Sequence, residues 1–292
     1  MARKYEFTPI LGWSISRYDT FSRCRRMYYY NYYAKYDTDV PAKRIERLKG
    51  LTGVGLETGH VFHDMVAELL RRFQKTDSSL DRSRFFQFAR RLTEEYCARK
   101  EFVEVYYGDR ESIGPDDVFP RAREALENFL ASDRYRWITG EAIGCCADWI
   151  IEPDDFGETR IDGVKAYCRM DFLIPLGGQL HILDWKAGRP REDKYPRQLL
   201  AYATAAAGDH GVSADRINPV TAYAWPEYEE RRLSFTEADL EGFRRTIKHE
   251  TGEMQALCAD VEKNIPLEKD AFPPDESGEA CRFCNFRELC GR

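Results

Sequence analysis

No apolar run in the 292 residues approaches the ~20 needed to span a bilayer. The N-terminal stretch Met1-Ala-Arg-Lys-Tyr-Glu6 lacks an apolar segment of signal-peptide type, so a cytosolic protein with no membrane partner is expected. No internal repeat or low-complexity tract organises the chain, and no Gly-x4-Gly-Lys-Ser/Thr loop is present. Surplus basic charge is also missing. Forty-four Lys/Arg against 50 Asp/Glu give a net charge of −6, which excludes a generic polycation that coats nucleic acid. What remains is 43% hydrophobic and 32% charged, the composition of a soluble globular protein with one large domain or two small ones.

The charge is uneven. Residues 1–50 hold 11 Lys/Arg against 5 Asp/Glu, together with Tyr28, Tyr29, Tyr30, Tyr32, Tyr33 and Tyr36. Cations interleaved with aromatics suit a path for single-stranded nucleic acid, with Arg17, Arg25, Arg26 and Tyr28 as candidate contacts. The same pattern also describes an amphipathic helix that packs its rings and leaves its cations in water.

The strongest local signal lies between two strand-like runs, Tyr167–Pro175 and Gln179–Lys186, joined by Gly177-Gly178. A diglycine between strands favours a tight primed turn. Centring the turn there sets Asp171 directly opposite Asp184, with Cβ atoms roughly 4.5–5.5 Å apart. Lys186, two residues beyond Asp184, shares its face. Asp184 ends the apolar run Leu180–Leu183, so it is expected to be buried and to need a partner. Two acids and a lysine converging on one spot predict a divalent-metal hydrolase site.

Nine cysteines in a cytosolic chain do not read as disulfides. Cys281-x2-Cys284-x5-Cys290 lets several thiolates reach one metal centre, and zinc sites and iron–sulfur cubanes both take four ligands. Cys24, flanked by Arg23, Arg25 and Arg26, is the expected fourth. Spacing alone does not separate zinc from iron–sulfur. Cys97, Cys145, Cys146, Cys168 and Cys258 have no ligand spacing and read as small buried hydrophobes.

Along the chain, residues 14–36 read as a helix. A second begins at Thr58, with Val61, Phe62, Met65, Val66, Leu69 and Leu70 as its apolar stripe. His60 and His63 lie beside that stripe, one turn apart. Helices are expected at 82–103 and 119–133, and a strand from Glu141. The acidic segment Glu152-Pro-Asp-Asp-Phe-Gly-Glu reads as a solvated loop. A helix from about Pro196 to Gly208 sets Gln198 and Tyr202 on one face. A strand at 220–225 and a helix at 235–263 complete the order.

In that order the chain resembles the PD-(D/E)XK nuclease superfamily, specifically RecB-like exonucleases with an iron–sulfur cluster, a group that includes the AddB nuclease domain and CRISPR-associated nucleases. Ser14–Tyr30 is similar to the opening helix with its cluster cysteine, Cys24. Gly59-x3-His63 is similar to the Gly-x3-His motif, which selects His63 over His60. Arg169-Met-Asp171 and Leu183-Asp-Trp-Lys-Ala-Gly188 resemble the central motifs. Gln198-x3-Tyr202 and Cys281-x2-Cys284-x5-Cys290 resemble the two that follow. The family's acid upstream of the hairpin has no clear counterpart, and Glu141 is the nearest match.

The resemblance implies an α/β fold with a restriction-endonuclease-like core: a central mixed sheet flanked by helices, with helical insertions and a four-cysteine cluster joining the N- and C-terminal segments. It implies one domain over 1–292, in four parts: 1–50, 51–135, 136–230 and 231–292. It implies an Mg2+- or Mn2+-dependent DNA nuclease acting as an exonuclease on single strands or duplex ends. His63, Asp171, Asp184 and the Trp185 carbonyl would be metal ligands. Lys186 would position or deprotonate the attacking water, and Gln198 and Tyr202 would orient Lys186 or the phosphate. The resemblance favours a 4Fe-4S cluster over zinc on Cys24, Cys281, Cys284 and Cys290. A helicase or CRISPR-adaptation protein is expected as a separate partner chain. The alternative is a non-catalytic DNA-binding or assembly subunit of a repair or CRISPR-adaptation complex built on the same fold.

Overall fold

The computed structural model describes residues 5–76, 79–153, 157–190 and 195–292. The helix expected at 14–36 is two helices, α1 (Ile15–Arg23) and α2 (Arg25–Tyr33). Ser14 caps the first, its Oγ accepting from the Arg17 amide at 3.1 Å. Cys24 between them is extended, and its sulfur caps the second by accepting from the Met27 amide at 3.4 Å. A one-residue break leaves the apolar period almost unchanged, which is why the sequence reads as continuous.

Helix α3 (Ala42–Lys49) lies between the first two expected helices, and α4 (Val54–Phe73) starts four residues before Thr58. Then come α5 (Arg82–Arg99), α6 (Val103–Tyr106), α7 (Pro115–Ala131) and α8 (Asp133–Gly140). Proline at the first turn of α7, with Asp117 accepting from the Gly114 amide at 2.8 Å, fixes where that helix begins.

The strand expected from Glu141 is mostly absent. Residues Ala142–Asp148 form 3-10 turns, and only Ile150–Ile151 (β1) is extended. Alanine, glycine and aspartate supply a two-residue alternation there without the bulk that favours a sheet.

Strands β2 (Glu158–Ile161) and β3 (Val164–Tyr167) form a hairpin through Asp162-Gly163, both with positive φ. They are followed by β4 (Phe172–Leu176), β5 (Gln179–Lys186), α9 (Tyr195–His210), β6 (Ile217–Tyr223) and β7 (Glu229–Arg232). Helix α10 (Glu237–Gln255) ends eight residues earlier than expected, because β8 (Cys258–Asp260) and β9 (Ile265–Pro266) pair as a small hairpin.

The chain divides into two compact units. The first comprises Thr52–Gly157 and Cys168–Glu241. Its five-stranded sheet runs β1-β4-β5-β6-β7, with β5 and β6 parallel and the other pairs antiparallel. This is the restriction-endonuclease-like mixed sheet with flanking helices. Gly177 and Gly178 both have positive φ (61° and 77°), as a primed two-residue turn requires, and the ladder runs from Leu176–Gln179 to Phe172–Leu183. The α4 stripe is buried with Phe129 of α7 and with Phe172, Leu183 and Trp185 of the sheet, the Phe129 and Trp185 rings meeting edge-on at 5.2 Å.

The second unit comprises Lys4–Leu51, Glu158–Tyr167 and Gly242–Arg292, and its core is aromatic. Tyr28, Tyr29, Tyr30 and Tyr33 are buried with Phe21 and Phe272. Ring centroids lie 5.1 Å apart for Phe21–Tyr28 and for Tyr29–Phe272, in edge-on and tilted contacts. No described helix is long and apolar enough to cross a membrane.

Candidate active site

The site lies within the first unit, at the end of the β4–β5 hairpin away from its turn. Asp171 immediately precedes β4. Its Oδ2 accepts from the Trp185 amide at 2.7 Å, and its carbonyl accepts from the Glu152 amide at 3.1 Å. Asp171 thus reaches across to β5 and ties down the residue that follows β1.

Among the described residues, one group of three metal-ligating side chains has all its ligand atoms within 4.8 Å: His63, Glu152 and Asp171. His63 Nδ1, on α4, is 3.4 Å from Asp171 Oδ1 and 3.8 Å from Glu152 Oε1. His60 instead turns its Nδ1 to Glu57 Oε1 at 3.2 Å and is largely exposed. Only His63 faces the acids.

Glu152 corrects two sequence expectations. The segment it opens reads as solvated, yet Glu152 is only 8% exposed, while residues 154–156 lie outside the described residues. Glu141, the nearest match for the upstream acid, is exposed at the end of α8, where a side chain meets water. Glu152 also accepts from Arg169 Nη2 at 2.9 Å through Oε2, which leaves Oε1 toward His63.

Asp184 stands beside this group and is not a member of it. It is 1% exposed, and its Oδ2 lies 2.6 Å from Lys186 Nζ. Oδ1 is buried and has no hydrogen-bond partner among the described residues. A buried carboxylate oxygen without a partner carries an energetic cost that a bound cation would remove.

Burial, reinforced by the charge of Asp171 and opposed by Lys186, raises the Asp184 carboxyl to about 6. Asp171 moves the other way. Burial would raise its pKa, but the charge and hydrogen bond of His63, with Lys186 and the Trp185 amide, bring it below its ordinary value. Burial opposes charge on His63 as well, and the two acids override it, raising the imidazole to about 10. The imidazolium therefore stands in for positive charge among these carboxylates. Burial alone would lower Lys186, yet Asp184 and Asp171 raise it, so the ammonium is retained.

This donor set fits a hard divalent cation. It offers carboxylate oxygens, one imidazole nitrogen, and a buried oxygen with no other partner. His63, Glu152, Asp171 and Asp184 are the residues that would hold it.

Gln198 and Tyr202, four apart on α9, are joined by a hydrogen bond from Nε2 to the phenol oxygen at 2.7 Å. Tyr202 is buried, and its pKa is raised well above the usual value by burial, then by the charges of Asp184 and Asp171. The pair thus borders the acids. The Trp185 indole is packed in the core and its amide serves Asp171. The Lys186 ammonium lies 4.8 Å from the Tyr195 ring centre.

In the second unit, Cys24 and Cys284 are buried, and the Cys284 sulfur accepts from the Phe286 amide at 3.4 Å. Burial pushes the Cys284 thiol up to about 11, and Cys24, Cys290 and Cys281 each add to the rise. The four cysteines named from sequence therefore share one electrostatic neighbourhood. No three of their sulfurs fall within the 4.8 Å span that marks the acidic group, among the described residues.

The candidate nucleic-acid contacts Arg17, Arg25, Arg26 and Tyr28 all make internal contacts in the second unit. Tyr28 is fully buried, and Arg17, 8% exposed, donates to the Tyr28 hydroxyl and the Gly12 carbonyl. Arg25 lies over the Phe21 ring, and Arg26 Nε donates to the Phe272 carbonyl at 2.8 Å. Burying a tyrosine-rich helix face removes Arg17 and Tyr28 from solvent, while Arg25 and Arg26 stay partly exposed.

The sequence profile of the PD-(D/E)XK nuclease superfamily matches residues 12–291. No curated protein matches the chain. Among solved structures, that described as "Crystal structure of SSO0001" is 16% identical, with a TM-score of 0.32, and covers 64% of this chain and 77% of its own. So distant a likeness supports no argument. The profile spans the segments that bring His63, Glu152, Asp171, Asp184 and Lys186 to one end of a mixed sheet, and the chain belongs to the PD-(D/E)XK nuclease superfamily.

Proposed function

We propose that the protein is an Mg2+- or Mn2+-dependent DNA exonuclease that acts on single strands or duplex ends. The observation that carries this reading is the convergence of His63, Glu152 and Asp171 beside Asp184, whose Oδ1 is buried without a partner. A divalent cation held by these residues supplies Lewis acidity toward a phosphate oxygen and a water. The chain's own residues do the rest. Lys186, kept protonated by Asp184 and Asp171, offsets charge on the phosphate in the transition state and orients the water through its ammonium. That protonation favours positioning over proton abstraction. Gln198 holds the Tyr202 hydroxyl at 2.7 Å, and together they hold Lys186 or the phosphate in line.

The second part of the proposal is a structural 4Fe-4S cluster on Cys24, Cys281, Cys284 and Cys290. It rests on the resemblance of their spacing to that of RecB-like exonucleases, with the shared electrostatic neighbourhood as support. Two of the sulfurs already accept backbone amides, from Met27 and Phe286.

The test is degradation of end-labelled single-stranded and duplex DNA with Mn2+, by the native protein and by Asp184→Ala and Lys186→Ala. Loss of cleavage in both variants, with unchanged circular dichroism, is expected. Full activity in either purified variant refutes the site. Anaerobically purified protein should be brown and should bleach in Cys24→Ala; a colourless protein holding one zinc refutes the cluster.

A further inference from the structure

Strands β5 and β6 are parallel and end side by side, Lys186 opposite Tyr223, with the Ala224 amide donating to the Lys186 carbonyl at 2.8 Å. In open α/β sheets the crevice beyond the carboxyl ends of parallel strands is where ligands sit. The chain places an unusual group there. Trp225 follows β6, and the Arg121 guanidinium from α7 lies 4.3 Å from its ring centre. Arg189, three residues beyond Lys186, lies 5.3 Å from the same ring.

Two cations on one indole repel each other. Neither Arg121 nor Arg189 has a carboxylate partner among the described residues, although most arginines of the first unit are paired with an acid. Burial and the neighbouring charge of Arg189 both lower the pKa of Arg121. The indole Nε1 is engaged by Glu124 at 2.8 Å, which fixes the ring that carries both guanidiniums. Arg121 is itself fixed, since its Nε and Nη2 donate to the Ala187 carbonyl at 3.2 and 3.0 Å, one residue past Lys186. Arg189 is exposed. The outcome is a pair of guanidiniums beside the end of β5 that, among the described residues, makes no ion pair with a carboxylate, the Glu124 carboxylate being engaged by the indole N–H.

We propose that Arg121 and Arg189, mounted on Trp225, bind a backbone phosphate of single-stranded DNA next to the phosphate being cut. This deepens the nuclease reading and rests on it for the register of the strand. Both ring contacts on Trp225 are arginines, so the platform contacts the backbone and not a base, and it carries no sequence preference. Arg189 suits this role because the planar fork of a guanidinium matches two phosphate oxygens at once, while Arg121, whose Nε and Nη2 serve the Ala187 carbonyl, adds charge and its remaining N–H groups.

The test separates this clamp from the catalytic reading. Binding of a fluorescent single-stranded oligonucleotide is followed by anisotropy in EDTA, across a salt series, for the native protein, Arg189→Gln and Arg189→Lys. Removing one phosphate contact should lower the slope of log affinity against log salt by about 0.7. We expect Arg189→Gln to reduce the slope by about that much and to weaken affinity several-fold, and Arg189→Lys to keep most of the slope. In the Mn2+ cleavage assay Arg189→Gln should raise KM and leave kcat near native. An unchanged slope in Arg189→Gln overturns the clamp whether or not the protein cleaves. A reduced slope in a protein that never cleaves upholds the clamp and refutes the nuclease reading.

Discussion

The two units differ in the chemistry of the polar groups they bury. In the second, the polar groups drawn against the aromatic core find internal partners: Arg17 meets the Tyr28 hydroxyl, Arg26 the Phe272 carbonyl, and the Trp13 indole donates to Glu250 at 2.8 Å. In the first, three carboxylates and a histidine crowd one end of the sheet, and Asp184 Oδ1 is buried without a hydrogen-bond partner among the described residues. The second unit also buries hydroxyls without a hydrogen-bond partner, those of Thr8 and Thr251, but among the described residues only the Asp184 oxygen lies beside a group of metal-ligating side chains. An unpaired carboxylate oxygen in that position marks the place where folding energy has been given up for binding.

The widest gap between the regions should appear on exchanging one atom in the acidic cluster. Asp184→Asn should lower cleavage by about 10²-fold or more, yet leave the melting temperature at or above the native value. The group removed is a carboxylate whose charge burial already disfavours, with its pKa raised to about 6. A cleavage assay and a calorimetric scan on the same preparation check both halves. Tyr28→Ala should show the reverse, losing about 3–5 kcal/mol in a urea melt while activity per folded molecule is retained. A loss under about 1 kcal/mol would mean that the aromatic core does not support its unit.

A smaller effect tests a satisfied acid inside the first unit. Glu57 is fully buried, and burial would raise its pKa, but the Thr52 hydroxyl and the Lys100 ammonium, at 3.0 Å from both oxygens, hold it below the usual 4.5. A depressed folded-state value means that its contribution is present above about pH 4.5 and is lost as the pH falls through the lower, folded-state value. Glu57→Gln should therefore lower stability at pH 7 and flatten the acid limb of the stability curve; an acid limb as steep as the native one would contradict this. The smallest change expected is Arg123→Ala. It breaks a 2.8 Å pair with Glu127 on the exposed face of α7, and should cost about 0.3–0.5 kcal/mol, measured by the same urea melt.

Much of this was legible in the residues. The diglycine and the alternating runs beside it set the hairpin register, and with it the positions of Asp171 and Asp184, because pairing in a two-residue turn is fixed by counting. Asp184 was readable as buried from the apolar run it ends. The same reasoning applies to Glu152, which ends Trp149-Ile150-Ile151, but the acidic residues after it mask the signal. The Asp162-Gly163 turn of β2–β3 is an equally plain hairpin signature. The break at Cys24 and the 3-10 turns at 142–148 were not legible. A period of burial survives a one-residue interruption, and small residues alternate without forming a sheet.

The sequence by itself determined the register of the central hairpin and which short motifs carry carboxylate, lysine and thiol. Those properties depend on neighbours a few residues apart, where chain geometry leaves little freedom. Only the tertiary structure decided that His63 faces Asp171 while His60 turns to Glu57, and that Glu152 joins them from the end of β1. It alone removed Arg17 and Tyr28 from solvent and set Arg121 beside Arg189. Those are meetings between segments distant along the chain, and they follow from how packed helices and strands exclude water, which no local pattern encodes.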